Sequence, residues 1–489
     1  MSTSSLEDTV NAIGYAKVIV TLKATAVAAT TSNREGAIQD HFIVPSEPQA
    51  ESLALSARLS ASRSFRRTEP SASRRVRVYK NLGLAIGYVN ANGLAALEAD
   101  PQIEKVVKAP ELSLIRPVEA HAAKLAAGTS WGIQRLKADR LWAAGFTGKG
   151  VLVGHLDTGV DATHPALRGA IGSFAEFDMA GDKVPNAKPS DSAEHGTHTA
   201  GTIVGRIGPK GSFGMAPEAK LASAMVIEGG QVIDRILAGM DWVIGEGVRI
   251  MSMSLGLRGY TPAFQAIIDA LRAANVLPVI AIGNEGPNTS RSPGNYANVL
   301  SVGAIDANDQ VAGFSGSQQF DRPENPLVPS LVGPGVTVLS CVPGGQYKTM
   351  DGSSMATPHI AGLAALLLQA KPTATATDLE QAIVGSCTLP AGMPQARGSH
   401  GVPDAERAFA ILTGSPLPVT EAAVSRIPSL ARGRVRAKMP AGRGAPRAAK
   451  KTAARSKVAA SKRKKTAASR GKKAARRTSR SRTGRSKRA

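Results

Sequence analysis

The stretch Asp351–His359 reads Asp-Gly-Ser-Ser-Met-Ala-Thr-Pro-His and stands between two apolar runs. The run Val336–Cys341 before it predicts a strand, and the run Ile360–Leu368 after it predicts a buried helix whose first turn the proline suits. A serine at a helix N-terminus faces free N–H groups and the positive end of the helix dipole, which stabilise negative charge on oxygen. A nucleophile needs that environment, but an ordinary capping serine would share it, so this stretch alone leaves both interpretations open.

Strands and helices alternate upstream of this stretch, which predicts a mostly parallel sheet with helices on both faces. Sites in such sheets gather at the carboxyl ends of strands, where Asp157, Ser254 and Asn284 fall. The predicted strands are Val151–Leu156, Leu221–Ile227, Ile250–Ser254, Val276–Ile282 and Val299–Ile305, and the predicted helices are Ile233–Glu246 and Thr261–Asn275.

Two further side chains match the chemistry of a nucleophilic serine. His195 opens a predicted helix beside Gly196, which leaves room for the ring, and Asp157 ends a buried strand, where a carboxylate needs a partner. Alone, His195 could be structural, and Asp157 could bind a metal or stabilise a turn. Together with Ser354 they run in the order Asp, His, Ser, which on a parallel α/β scaffold is one of the known orders of a catalytic triad.

The body of the chain, about residues 131–413, resembles the subtilisin-like serine peptidases, or subtilases. The resemblance implies a three-layer α/β domain that hydrolyses peptide bonds of polypeptide substrates through an acyl-enzyme. The family carries its nucleophile on the serine directly before Met, which selects Ser354 over Ser353. The matching segments are His155–Asp161, His195–His198, Ser252–Gly256, Ile282–Gly286 and Gly352–His359.

The resemblance also assigns roles to single residues. Asp157, His195 and Ser354 are the expected triad, and the Asn284 side chain with the backbone N–H of Ser354 is the expected oxyanion hole. Gly229 and Gly230 are expected to offer a strand that pairs with extended substrate. The expected flanks of the substrate pocket are Ser254, Leu255, Gly256, Ala281, Ile282 and Gly283.

Other polar residues near these motifs have structural interpretations. We expect buried structural roles for His198 and His359 and a turn at Asp161 and His164. Asp191 and Glu194 come close before His195 and could modulate it, but we expect them to be solvated.

Calcium is where the chain departs from the family. Ala166 stands where many subtilases place an aspartate ligand, and the loop Arg206–Lys210 is cationic and lacks an Asn or Asp ligand. We therefore expect that the usual high-affinity calcium site is lost, that no cofactor is required and that no residue is assigned to a metal, although other calcium sites stay open.

The N-terminal part predicts a small α+β unit at residues 17–114, after an extension at 1–16. Its recognisable segments, Gly87–Glu98 and Ile103–Val107, resemble the inhibitory propeptide of subtilases, with an insertion near 24–75. The resemblance implies a zymogen that cleaves off its own propeptide between about Pro110 and Thr129, in or near a linker at 115–130.

The excess of basic over acidic residues is confined to the C-terminal part of the chain. Residues 422–489 hold 25 of the 60 Lys and Arg residues and no Asp or Glu, so the remainder is nearly neutral despite the net charge of +23. Residues 414–489 are too poor in apolar side chains to bury a core, which predicts a disordered tail.

Such a tail can bind nucleic acid or other polyanions without reading bases, or adhere to anionic membrane, or it is simply solvated. A nucleic-acid-associated protein with a silent peptidase body is the competing hypothesis.

Composition limits the remaining possibilities. No apolar run reaches the length of a membrane span and no secretory signal is recognised, so a cytoplasmic monomer is expected, with secretion as the alternative. The two cysteines, Cys341 and Cys387, favour buried free thiols, and a single disulfide stays open.

Overall fold

The computed structural model describes residues 6–23, 36, 38–44, 75–110, 113–125, 127–178, 180–208, 211–227 and 232–418. The predicted strand-pairing segment Gly229–Gly230, most of the predicted insertion and nearly all of the basic tail lie outside these residues.

Short helices and strands alternate along the described chain. The helices are α1 Leu6–Ile13, α2 Ala91–Ala99, α3 Trp131–Arg135, α4 Ala138–Ala143, α5 His195–Val204, α6 Ile233–Gly245, α7 Gln265–Ala273, α8 Ser353–Ala370, α9 Ala376–Gly385, α10 Gln395–Gly398 and α11 Ala405–Thr413. The strands are β1 Ala16–Leu22, β2 Val76–Tyr79, β3 Leu84–Val89, β4 Ile103–Lys108, β5 Ser113–Leu114, β6 Glu119–Ala123, β7 Leu152–Asp157, β8 Ile171–Glu176, β9 Lys220–Met225, β10 Ile250–Met253, β11 Leu255–Arg258, β12 Leu277–Ala281, β13 Arg291–Ser292, β14 Leu300–Ile305, β15 Gln318–Gln319, β16 Leu327–Val328, β17 Leu331–Pro334, β18 Val338–Val342 and β19 Gln346–Asp351.

A seven-stranded sheet organises the larger part of the molecule, with the strand order β17-β14-β12-β10-β7-β9-β8. All neighbouring strands in it are parallel. The prediction of a mostly parallel sheet is therefore confirmed. Because β7, β10 and β12 are adjacent and point the same way, the residues at and just beyond their carboxyl ends meet at one edge.

Helices cover both faces of this sheet. Consecutive residues of a strand point to opposite faces, so they pack against different helices. On β12, Val279 packs in the cluster that contains α5 and α8, whereas Ile280 packs in the cluster that contains α6 and α7. The near-continuous apolar strands are thus buried on both sides, as a parallel sheet requires. The result is the three-layer α/β architecture that the sequence predicts.

The N-terminal residues form a separate four-stranded sheet with the order β2-β3-β1-β4 and antiparallel pairing. One of its faces packs against the side of the larger unit that carries α6, with Tyr79, Leu84 and Ile86 in the shared cluster. Polar contacts reinforce this: Tyr79 Oη donates to the Asp234 carbonyl at 2.9 Å, and Lys17 forms an ion pair with the Asp234 carboxylate.

The structure corrects the prediction at the stretch Asp351–His359. The serine helix α8 begins at Ser353, so Pro358 lies inside the helix rather than in its first turn. A second strand, β19, pairs with β18 in a hairpin before the helix. The predicted helix Thr261–Asn275 is also divided, into a 3₁₀ turn at Pro262–Phe264 and α7.

Two further observations concern the cysteines and membrane-spanning helices. Cys341 and Cys387 are free thiols, and burial raises the pKa of each to about 12. Within the described part of the chain, no helix combines the length and hydropathy needed to cross a membrane.

Candidate active site

Asp157 and His195 are brought into direct contact at the carboxyl edge of the parallel sheet. Asp157 is the last residue of β7, and His195 is the first residue of α5. The His195 Nδ1 atom lies 2.7 Å from Asp157 Oδ1, and both side chains are buried. Gly196 makes room for the backbone at Gly159, since a Cβ there would lie 2.1 Å from the carbonyl oxygen of Gly159, whereas its predicted role of leaving room for the His195 ring stays a prediction.

Asp157 is held as a carboxylate by the groups around it. Burial by itself raises its pKa, but the charge of His195, the hydrogen bond to it and the Thr158 N–H at 2.7 Å outweigh burial and leave the pKa below its ordinary value. The other carboxylate oxygen accepts a 3.1 Å hydrogen bond from Thr199 Oγ1, which lies 2.9 Å from the buried ring of His155. These contacts fix the carboxylate against the imidazole.

The expectation that Asp191 is solvated is wrong. Its carboxylate accepts hydrogen bonds from the Thr197 N–H at 2.7 Å and from the Thr158 hydroxyl at 2.7 Å. Asp191 thereby satisfies a free N–H in the first turn of α5, where the helix dipole also favours negative charge. Asp191 lies in a loop four residues before the helix, so the sequence favoured a solvated carboxylate over this contact. Glu194 forms an ion pair with Lys348.

Ser354 and Asn284 are joined through the neighbouring serine. Ser354 lies in the first turn of α8, and Asn284 follows β12 by three residues. Asn284 Oδ1 accepts from the Ser353 N–H at 2.9 Å and from the Ser353 hydroxyl at 2.8 Å. This orients the Asn284 amide N–H₂ group toward the cleft in front of Ser354. Ser353 is therefore a positioning group that the motif alone does not reveal.

A segment of the chain itself occupies the cleft. The strand β5 pairs antiparallel with β11, with Leu114 opposite Leu255 and Ser113 opposite Gly256. The next residue, Ile115, donates its N–H to the Ser254 carbonyl at 3.1 Å. The Ser354 hydroxyl donates to the Ile115 carbonyl oxygen at 2.7 Å. The predicted flank Ser254–Gly256 thus pairs with residues 113–115 of the chain itself, and the Ile115 carbonyl lies at Ser354.

The segment continues past Ser354 and pairs on the other side of it. The Arg116 carbonyl accepts from Asn284 Nδ2 at 2.9 Å, and the Val118 N–H donates to the Asp351 carbonyl at 2.8 Å. The strand β6 then pairs antiparallel with β19. The hairpin strand that the sequence did not predict is thus the edge that holds the second half of this segment.

His195 retains one free ring nitrogen. Among the described atoms, the buried Nε2 of His195 has no hydrogen-bond partner, because the Ser354 hydroxyl is turned toward Ile115. A histidine with Nδ1 tied to a carboxylate and Nε2 unoccupied can accept a proton at Nε2.

The other predicted histidines are structural. His198 Nε2 lies 3.0 Å from the Val338 carbonyl, and burial lowers its pKa to about 3. His359 Nδ1 lies 2.8 Å from the Met355 carbonyl within α8, and burial lowers its pKa to about 4. Both rings are neutral at pH 7. The predicted turn is present, since the Thr163 N–H donates to Asp161 and His164 Nδ1 accepts from the Ala166 N–H.

In the part of the chain that the structure describes, no group of three or more His, Cys, Asp or Glu side chains has an arrangement that could hold a metal ion. Backbone carbonyls can also bind calcium. The calcium dependence of the protein accordingly stays a prediction.

Comparison with known proteins assigns the chain to a family. The model of the Subtilase family matches residues 148–407. Subtilisin E of Bacillus subtilis (strain 168) is 33% identical over 311 residues, which are 62% of this chain and 76% of that protein. M-protease of Shouchella clausii (strain KSM-K16) is 36% identical over 282 residues, 57% of this chain and 67% of its own. Subtilisin BL of Lederbergia lenta is 38% identical over 247 residues, 50% of this chain and 85% of its own.

Fold, site and relatives define a serine endopeptidase that acts on polypeptides. The chain belongs to the subtilase family, and the enzyme is a serine endopeptidase of the subtilisin type.

Proposed function

We propose that Ser354, His195 and Asp157 are the catalytic triad and that the enzyme cuts peptides through an acyl-enzyme. The observation that carries this is the Ser354 hydroxyl, 2.7 Å from the carbonyl oxygen of a peptide held in extended form across the site. Ser354 Oγ attacks the carbonyl carbon while its proton passes to His195 Nε2. Asp157 holds the ring in the correct tautomer and stabilises the imidazolium.

Negative charge then develops on the carbonyl oxygen and needs donors placed in advance. The Asn284 amide and the backbone N–H of Ser354 supply them. His195 gives its proton to the leaving amine, the C–N bond breaks, and an ester to Ser354 remains. Water then attacks the ester and loses a proton to His195, which passes that proton to Ser354 Oγ as the ester C–O bond breaks, so the carboxylic acid product is released and free Ser354 is restored.

We further propose that the N-terminal unit is a propeptide that the enzyme removes itself, at the bond between Ile115 and Arg116. Support comes from the docking of the N-terminal sheet on α6 and from the position of the segment in the cleft. The attacking oxygen faces the Ile115 carbonyl, although Asn284 holds the next carbonyl, that of Arg116. Cleavage requires Asn284 to transfer its hydrogen bond to the Ile115 oxygen.

Processing is tested by the intact mass of the purified wild-type protein beside the Ser354→Ala variant after incubation. We expect the wild type to lose its first 115 residues and begin at Arg116, at a rate independent of protein concentration, while Ser354→Ala stays full length. A new N-terminus at Pro117 would instead assign the cut to the bond after Arg116. Equal cutting of both proteins would show that another protease does the processing.

We also propose that the basic tail binds polyanions. Residues 422–489 of the tail carry 25 positive charges and no acidic residue, whereas the rest of the chain is nearly neutral. Positive charge of this density releases counterions from a phosphate backbone, with little dependence on base sequence.

The tail proposal predicts steep salt dependence. Binding of duplex DNA of random sequence should weaken with rising salt, with a log–log slope of about −0.9 for each phosphate contacted. A chain that ends before Pro416 should lose the binding and keep peptidase activity. Equal binding by the shortened chain would exclude the tail. Binding of anionic vesicles but not DNA would assign the tail to membrane instead.

A further inference from the structure

Backbone atoms of the segment make most of the hydrogen bonds that the structure describes between it and the cleft. The hydrogen bonds of Ile115, Arg116 and Val118 described above all end on backbone atoms of the segment. Such contacts are available to any extended peptide except at proline, so they give affinity without selecting a side chain. A preference of the enzyme must therefore come from contacts with side chains.

One hydrogen bond reaches a side chain of the segment. Arg291 donates from a terminal guanidinium nitrogen to the Ser113 hydroxyl at 3.1 Å. It is the only side-chain to side-chain hydrogen bond that the structure describes between residues 113–118 and the rest of the protein. Ser113 is the third residue before the proposed scissile bond, counting Ile115 as the first.

The fold places Arg291 against the strand that binds the segment. It belongs to β13, which pairs antiparallel with β11, so Arg291 lies opposite Arg258. The same terminal nitrogen also donates to the Gly256 carbonyl at 2.9 Å. The guanidinium is thus fixed to the backbone at the residue that pairs with Ser113.

Two glycines make room for this arginine. A Cβ at Gly256 would lie 3.0 Å from the Arg291 Cβ, and a Cβ at Gly283 would lie 3.0 Å from its Cγ and 2.8 Å from Glu285 Oε2. Both glycines are in the predicted flanks of the substrate pocket. The Arg291 side chain, which is 8% exposed, therefore fills part of the space between these two flanks.

The local charge favours an acidic partner. Glu285 pairs with Arg291 through both carboxylate oxygens and with Arg258 at 3.3 Å. Burial raises the pKa of Glu285, but the hydrogen bond and charge of Arg291 outweigh it and leave the pKa below its ordinary value. Two cations face one carboxylate, so the group carries a net positive charge beside Ser113.

We propose that Arg291 is a specificity-determining residue that selects substrates with a carboxylate or hydroxyl side chain at the position of Ser113. A carboxylate there would accept a charge-assisted hydrogen bond from Arg291, a serine would accept a neutral one, and a lysine would meet a like charge. This inference rests on the proposed triad and on the proposed mode of peptide binding.

The test uses four peptides that differ only at the third residue before the scissile bond, which is Asp, Ser, Ala or Lys. We expect kcat/KM of the wild-type enzyme to fall in the order Asp, Ser, Ala, Lys. The Asp peptide should exceed the Ala peptide by about tenfold, the effect of one charge-assisted hydrogen bond at a partly solvated site. High salt should reduce this ratio.

Two variants distinguish the effect of the Arg291 guanidinium on specificity from the effect of the charges around it. The double variant Arg291→Met with Glu285→Gln removes both charges together, so no buried carboxylate is left unpaired. Its ratio of kcat/KM for the Asp peptide over the Ala peptide should fall to about one. Glu285→Gln alone leaves the cations uncompensated and should raise the ratio above that of the wild type. Ratios are compared within each variant, so a change in overall activity cancels.

The role of Arg291 would be overturned if the wild type had a ratio of kcat/KM for the Asp peptide over the Ala peptide near one, or if the double variant had the same ratio as the wild type. In both cases hydrolysis of the peptides would still support the triad. Failure of the wild type to hydrolyse all four peptides would overturn the proposed function together with this inference. The two failures are thus distinguishable.

Discussion

Replacing Ser354 by Ala is expected to lower kcat by about 10⁶-fold, the magnitude known from subtilisin itself for loss of its nucleophile. The alanine side chain has no oxygen to attack the carbonyl or to form the ester. The remaining rate over water would come from the Asn284 donor and from substrate binding. Initial rates with a chromogenic peptide, at enzyme concentrations high enough to detect the residual rate, measure the effect.

Ser353→Ala is the matched control for this prediction. Ser353 is equally buried and adjacent, but its hydroxyl is bonded to Asn284 Oδ1 at 2.8 Å. Its loss should lower kcat by only about tenfold, since one neutral hydrogen bond is lost and the Ser353 N–H still orients Asn284. A larger loss in Ser353→Ala than in Ser354→Ala would reverse the assignment of the nucleophile.

Asp157→Asn is expected to lower kcat by about 10⁴-fold at neutral pH. The asparagine can turn its N–H₂ group toward His195 Nδ1 and hold the ring in the tautomer whose Nε2 carries the proton. Such an Nε2 cannot accept the serine proton. The carboxylate also stabilises the imidazolium through the 2.7 Å contact, which a neutral amide cannot replace.

Asp161→Asn serves as the control for Asp157→Asn, because Asp161 follows the same strand but binds the Thr163 N–H and the Gly344 N–H. Its activity should stay within about twofold of the wild type, as is usual for changes away from the reacting atoms. Thermal unfolding of both variants checks that each is folded. Equal losses in the two variants would mean that Asp157 acts through the fold and not on His195.

The sequence predicted the sheet and the side chains at its carboxyl edge because both depend on local patterns. Buried parallel strands are apolar runs, and Asp157 comes directly after one of them. The same reasoning places Ser254 and Asn284 near that edge. The parallel pairing of β7, β10 and β12 then brings these side chains together without further information.

Contacts between distant segments could not be predicted in this way. Asp191 has the composition of a solvated loop, and only the fold shows its carboxylate at the first turn of α5. Strand β19 contains Gln346, Lys348 and Thr349, whose polarity hides a strand that is buried only in part. Arg291 lies outside every motif, and its position beside Ser113 depends on the pairing of β13, β11 and β5.

The central claim is that Ser354 is the activated nucleophile, and covalent labelling tests it most directly. A fluorophosphonate loses fluoride and forms an O–P bond to an activated serine, and peptide mass spectrometry locates the adduct. We predict one adduct on Ser354 of the purified wild-type protein, none on Ser354→Ala, and much slower labelling of Asp157→Asn. An adduct on Ser353, or peptide hydrolysis by a protein whose Ser354 is never labelled, would contradict the account.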